Sequence, residues 1–284
     1  MTAHKGKADK KPDKQRYNED YFFYRTRLAR SSAEVMVPMV IELVQPSSVV
    51  DVGCGTGDWL SVFREHGVDD VWGVDGAYVN KKLLKIPEER FITADLEHPL
   101  HFDRKFDLVV SLEVAEHLPS SHAESLVASL TALGPVVLFS AAIPHQGGRH
   151  HVNEQWPPYW VRLFSDKGYV VTDPLRRKVW YDEKVQVWYA QNTFVFVARN
   201  SLRNYPLLGK EYESHNADML SVVHPKYYLQ KAEEATLRHL LIRRPTEILV
   251  RSASSTMKGI LPNNIFRVIR AVYRRFRGGG QLGE

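Results

Sequence analysis

Apolar residues fall into short, regularly separated bursts along this chain. Ser48–Gly53 (SVVDVG) is a β-branched run of the length expected for a strand buried on both faces. Comparable runs recur at Val71–Asp75 (VWGVD), Arg90–Ala94 (RFITA), Phe106–Leu112 (FDLVVSL), Pro135–Ser140 (PVVLFS), Tyr169–Thr172 and Thr193–Ala198 (TFVFVA). Helical spacing fills the intervals. A first helix through Val35, Met39, Val40 and Leu43 stops at Pro46, and another starts near Asp58. A short one carries Leu83 and Leu84, and a longer one covers Ser121–Leu133. His145–Trp160 is polar, glycine-bearing and aromatic, and reads as a loop leading into a further helix. This alternation predicts an α/β fold: a seven-stranded, mostly parallel sheet with helices on both faces. Such sheets bind ligands in the loops at the carboxyl ends of their strands.

The ends of the chain follow a different pattern. Residues 1–16 lack apolar periodicity and read as a disordered basic tail with a net charge of +4. After Asn200 the sequence turns to Arg-rich helical stretches with weak core signals, so 201–284 is expected to be a basic helical C-terminal extension, net +7. The main domain, 17–200, then holds −6 of the chain's total of +5. A domain that gripped a polyanion across its surface would show the reverse balance, which makes nucleic acid a less favoured partner.

Composition narrows the setting. Hydrophobic residues at 44% and charged residues at 25% exclude wholesale disorder and a fibrous repeat. No apolar run approaches the roughly 18 residues of a membrane span, and no apolar segment follows the N-terminal lysines as a secretory signal would require. The single cysteine, Cys54, excludes an internal disulfide framework and a thiolate zinc site. A cytoplasmic location is expected.

The candidate chemistry begins after the first strand, at Asp51-Val-Gly53-Cys-Gly55-Thr-Gly57-Asp58. Glycines suit a tight turn that must approach a ligand closely. The dinucleotide spacing G-x-G-x-x-G is not met, and an Asp stands where that pattern needs glycine. A carboxylate there disfavours pyrophosphate and suits a cationic ligand. This arrangement resembles the first motif of the class I S-adenosylmethionine (SAM)-dependent methyltransferases, and the likeness continues in order along residues 48–200. Asp75, followed by Gly76 at the end of the second strand, matches the acidic residue that receives the ribose hydroxyls. Asp95, with Leu96 beside it, matches the residue that accepts from the adenine amino group. FDLVVSLEVAEHLP (106–119), with Leu112 at its strand end, looks like the motif beside the transferable methyl. The resemblance implies a Rossmann-like sheet, a SAM cofactor, and a cofactor site made by Asp51, Gly53, Gly55, Asp75, Gly76, Asp95, Leu96 and Leu112.

A hydroxyl acceptor is a poor nucleophile near neutral pH, so a base or a metal is expected nearby. Two clusters can supply one: Glu113-Val-Ala-Glu116-His117 after the fourth strand, and His145 to Trp156 after the fifth. The pairing resembles small-RNA 2′-O-methyltransferases and ubiquinone-pathway O-methyltransferases, in which E-x-x-E-H and a later histidine hold a divalent metal. Carried over, the ligands are Glu113, Glu116, His117 and His151, a donor set compatible with Mg²⁺, Mn²⁺ or Zn²⁺. Without a metal, His151 serves as general base, with Glu113 and His117 as further catalytic candidates.

GGRHHVNEQWPPYW resembles a stretch of methyltransferases of bacterial polysaccharide and glycolipid biosynthesis, which implies a saccharide or glycolipid acceptor. Trp156, Tyr159 and Trp160 offer faces for a sugar ring, and Asn153, Glu154 and Gln155 offer partners for its hydroxyls. Alternatively Trp156, Trp160 and Phe164, at i, i+4, i+8, pack one helix onto the sheet. The aromatics of Tyr17–Tyr24 form either a lid over the cofactor or a docking face. Ile265, Ile269, Val272 and Phe276 share one stripe of an Arg-rich helix, 265–277, suited to the inner membrane surface or to an oligomer contact. The competing acceptors are RNA 2′-hydroxyls and small quinone or polyketide hydroxyls.

Overall fold

The computed structural model describes residues 19–214 and 220–243, with side chains over 28–213 and 220–236. The basic tail and the amphipathic stretch 265–277 lie outside the described residues, as do the side chains of Tyr17–Tyr24. The chain divides into two compact units at His224/Pro225. Within the second unit the described residues form a helix, α8 (Pro225–Arg243).

The first unit contains a seven-stranded sheet. Its strands are β1 (Ser48–Val52), β2 (Asp70–Asp75), β3 (Phe91–Thr93), β4 (Leu108–Leu112), β5 (Val136–Ser140), β6 (Tyr169–Thr172) and β7 (Phe194–Ala198). They lie in the order β3-β2-β1-β4-β5-β7-β6, parallel except for β7, which runs antiparallel to both β5 and β6. The helices are α1 (Glu19–Val44), α2 (Asp58–Glu65), α3 (Ala123–Leu133), α4 (Pro157–Asp166), α5 (Arg176–Val179), α6 (Val187–Asn192) and α7 (Pro206–Ser214).

Each predicted strand is present within a residue or two of its predicted ends. Burial explains this: β1, β4 and β5 are buried at every position, so their sequences carry no polar face. Side chains still alternate between two cores. Leu108 and Val110 join Met36 and Val40 of α1 and Phe63 of α2, whereas Val109 joins Leu130 of α3 and Phe164 of α4. The second core has an aromatic centre, with Phe164 stacked on Phe196 at 3.9 Å between ring centroids and Trp160 against Phe139.

The first unit extends past Asn200, with Leu208 and Leu220 buried in its cores. Arg176, itself buried, pairs with Asp173 and donates from Nη1 to the carbonyls of Gln191 and Leu220 at 3.1 and 3.0 Å. The Trp156-Trp160-Phe164 stripe is split. Trp160 and Phe164 are core, but α4 begins only at Pro157, and Trp156 precedes it in extended backbone with 40% of its surface exposed. Among the described residues no helix is long and apolar enough to cross a membrane.

Candidate functional site

Strand order reverses on either side of β1, and the loops after β1, β2, β4 and β5 open on one edge there, the place where such sheets bind ligands. The turn after β1 uses left-handed backbone at Gly53, Gly55 and Gly57, with φ of 87°, 56° and 84°. A Cβ on Gly53 would also fall within the Val114 side chain. The turn therefore requires glycine and lets the backbone come close to an incoming group. Gly53 N and Cys54 N donate to Val74 O, which ties the turn to β2.

Three buried carboxylates surround this turn: Asp51, Asp58 and Asp75. Asp75 Oδ2 accepts from Gly55 N and Oδ1 from Gly76 N, each at 2.6 Å, and the Tyr78 hydroxyl also donates to Oδ1. Asp58 accepts from Thr56 Oγ1 at 2.7 Å. Burial pushes the Asp51 carboxyl well above the usual range, and Asp75 and Asp58 push it further. Burial raises Asp75 as well. Burial chiefly, with Asp75 and Asp51 adding, also raises the Cys54 thiol, which makes it a poor nucleophile. A buried triad of carboxylates favours a ligand that carries positive charge. SAM has a sulfonium and an ammonium group, and so fits the cradle.

The raised carboxyls have a measurable consequence. A carboxyl whose folded pKa is raised costs stability while ionised, and the cost is relieved as pH falls through that pKa. Stability is therefore expected to climb on acidification from neutrality. It should fall again below about pH 4, the ordinary carboxylate range, as groups held low begin to protonate. One such group is Asp70, which Arg104 and Arg90 hold low although burial opposes them. Asp51→Asn should raise the melting temperature at neutral pH by about 2–4 °C, the equivalent of about 1 kcal/mol in a domain of this size. Calorimetry across pH checks both; an unchanged Asp51→Asn profile would contradict the charge cost.

The second part of the site forms where β4 and β5 end. Glu116 is fully buried, and its ligand oxygen and nitrogens of His117 and His151 all lie within 4.8 Å of one another. The rings of His117 and His151 meet edge to face at 4.9 Å. Glu116 also anchors the second cluster, since its carbonyl accepts from Val152 N and Asn153 N at 2.8 and 3.1 Å. Glu154 orients His151: its Oε1 lies 2.9 Å from His151 Nδ1, while its two oxygens also accept from Gly147 N and His145 N. Gly148 packs so closely on the His151 ring that a Cβ there would overlap it. Carboxylate pairing at Nδ1 fixes the tautomer and leaves Nε2 as the ligand or basic nitrogen.

Other expectations are met unevenly. Glu113, predicted as fourth ligand, is not in this group; its carboxylate accepts from Asn192 Nδ2 and Gln146 Nε2, both at 3.1 Å. Asn153, Glu154 and Gln155, expected to meet an acceptor, turn inward. Glu154 is held as above, and Gln155 Nε2 donates to the Oδ1 of buried Asn153 at 3.0 Å. Asp95 is exposed and accepts from Glu97 N, with Leu96 packed beside it on the second core. Leu112 is buried in the first core. Sequence reasoning missed the structural roles of Tyr78, Gln146 and Asn192. Only Glu154, an acid three residues after His151, had a local signal.

Comparison with known proteins identifies the family. The profile of a family described as "Methyltransferase domain" matches residues 21–191, over half of the chain. A protein of Haemophilus influenzae described as uncharacterized is 22% identical over 232 residues, 79% of this chain and 85% of its own length. Among solved structures, the methyltransferase domain of bacterial CtHen1 is 20% identical with a TM-score of 0.45, over 59% of this chain and 98% of that one. The sugar N-methyltransferase KedS8 from Streptoalloteichus sp. is 18% identical with a TM-score of 0.47, over 70% of this chain and all of that one. Because the family match runs unbroken from α1 through the glycine turn and both carboxyl-edge loops, the chain belongs to the methyltransferase-domain family and is a class I SAM-dependent methyltransferase.

Proposed function

We propose that the chain moves a methyl group from SAM to a hydroxyl of a saccharide, with a divalent metal held by Glu116, His117 and His151. The observation that carries this reading is the convergence of one carboxylate and two imidazoles within 4.8 Å, two residues beyond the Val114 that abuts the glycine turn. That donor set suits Mn²⁺ or Zn²⁺, and Mg²⁺ where waters complete the shell. The pairing of His151 Nδ1 with Glu154 is the outer support that metal-binding histidines commonly have.

Bound SAM supplies a methyl that is already electrophilic, so the protein's task is alignment and proton removal. Asp75 is suited to receive the ribose hydroxyls, and the glycine turn, with no Cβ in the way, lets the cofactor come close to the backbone. A metal in the triad would supply a Lewis acid that lowers the pKa of the acceptor hydroxyl. With Nδ1 committed to Glu154, His151 would offer Nε2 to such an ion, and in a metal-free enzyme Nε2 would take the hydroxyl proton.

Trp156 supports a saccharide acceptor, because it stays exposed five residues after His151 while Trp160 is buried. Trp156→Ala is expected to raise the acceptor KM roughly tenfold, the loss of about one ring-stacking contact, and to leave the SAM Kd unchanged. The decisive assay offers nucleotide-linked and lipid-linked saccharides, single-stranded RNA and hydroxyquinones in parallel, with Mn²⁺ and with chelator. Transfer to RNA alone would overturn the saccharide reading, and undiminished transfer in chelator would overturn the metal.

A further inference from the structure

Glu113 occupies the first position after β4 in left-handed backbone, φ 56°, an uncommon conformation for a residue with a side chain. Its N–H donates to both the carbonyl and the hydroxyl of Ser140 at 3.1 and 3.0 Å, which pins it to the end of β5. The buried carboxylate then faces two amides. Asn192 Nδ2 donates to Oε1 and Gln146 Nε2 to Oε2. Asn192 Nδ2 also donates to Gln146 Oε1 at 3.0 Å, which accepts from Ile143 N as well. Gln191 Nε2 closes the chain on Asn192 Oδ1, and Gln191 Oε1 accepts from His224 N at 2.7 Å.

The network thus joins the end of β4, α6 and residue 224 to Gln146, in the loop whose later residues are Gly148 and His151. We propose that Glu113 is a positioning residue that locks the 144–151 loop, and with it His151, through this carboxylate–amide network and does not ligate the metal. The proposal rests on the metal reading of the triad only where ligation is concerned; the lock itself needs no metal.

Donor and acceptor arithmetic makes the lock testable. In Glu113→Gln the new amide must set a donor against Asn192 Nδ2 or Gln146 Nε2. Turning the Gln146 amide does not help, because its nitrogen would then face Asn192 Nδ2 and Ile143 N. Adding Gln146→Glu restores every bond. The new carboxylate accepts from Asn192 Nδ2, Ile143 N and the amide nitrogen introduced at position 113, while the amide oxygen introduced there accepts from Asn192 Nδ2.

The experiment compares the full-length wild type, Glu113→Gln and Glu113→Gln/Gln146→Glu. Amide hydrogen exchange is read over 145–153 and ring ¹⁵N shifts at His151, followed by Mn²⁺ titration. In the single variant those amides are expected to exchange roughly tenfold faster and the His151 shifts to move toward the tautomer average. The double variant should restore both. Unchanged exchange in the single variant, or a double variant that behaves like it, overturns the lock. Equal Mn²⁺ affinity in wild type and double variant supports a non-ligand Glu113; restored exchange with lost Mn²⁺ binding makes it a ligand and overturns the proposal. If wild type takes no Mn²⁺, the metal reading of the triad falls, and exchange and shifts alone decide the lock.

Discussion

Asp75→Asn is expected to weaken SAM binding roughly a hundredfold while leaving the chain folded. Asp75 has donors on both oxygens: Gly76 N and the Tyr78 hydroxyl on one, Gly55 N on the other. Asparagine keeps one acceptor and turns its NH₂ toward Gly55 or Gly76, setting donor against donor where the carboxylate bonds are 2.6 Å long. It also removes half of the receiver for the ribose diol. Loss of a charge-assisted bond, with a buried donor stranded, is worth about 3 kcal/mol, or about two decades in Kd. The fold should lose less, because burial already disfavours the ionised carboxylate, and its removal offsets part of the lost bonding. Calorimetric titration with SAM checks the affinity and a thermal melt checks the fold. A Kd within threefold of wild type would remove Asp75 from the cofactor site.

Glu116→Gln is expected to lower both Mn²⁺ affinity and turnover by at least about a hundredfold with the SAM Kd unchanged. The substitution keeps shape, and the backbone carbonyl that anchors Val152 N and Asn153 N is untouched, so the loop should stay in place. What is lost is the anionic oxygen among the three groups. Glu154→Gln removes only the partner of His151 Nδ1 and should cost about 10–100-fold, the usual effect of an outer-shell group. The two variants together separate ligand from orienter. If neither chelator nor Glu116→Gln lowers turnover, the triad is not a metal site and His151 acts alone as base.

The fold was legible because its information is local. Strands buried on both faces write continuous β-branched runs, as in SVVDV, LVVSL and VVLFS, and the loops after them carry the glycines and carboxylates in order. The convergence of Glu116, His117 and His151 was legible for the same reason, since parallel strands deliver consecutive loops to one edge. What was hidden depends on partners far away in the chain. Glu113 looked like Glu116 in the sequence, yet a partner 79 residues distant claims its side chain. Trp156 and Trp160 looked like one stripe, but the helix that would align them starts between the two. The burial of Leu208 and Leu220 was hidden because such isolated anchors are too sparse to form a period.

The antiparallel strand β7 has a consequence for how the enzyme comes into being. Among the seven strands of this sheet it is the last in chain order, yet it occupies the slot between β5 and β6, and β6 pairs with nothing else in the sheet. A nascent chain that has emerged only as far as Gln191 has its cofactor turn and all three members of the triad, but presents two open strand edges and half an aromatic core. Such edges invite association with other chains. Translation of roughly the next seven residues, Asn192 to Ala198, closes the sheet and delivers Asn192 to Glu113 in one event. Closure of the sheet edge and delivery of Asn192 to Glu113 thus depend on the same few residues.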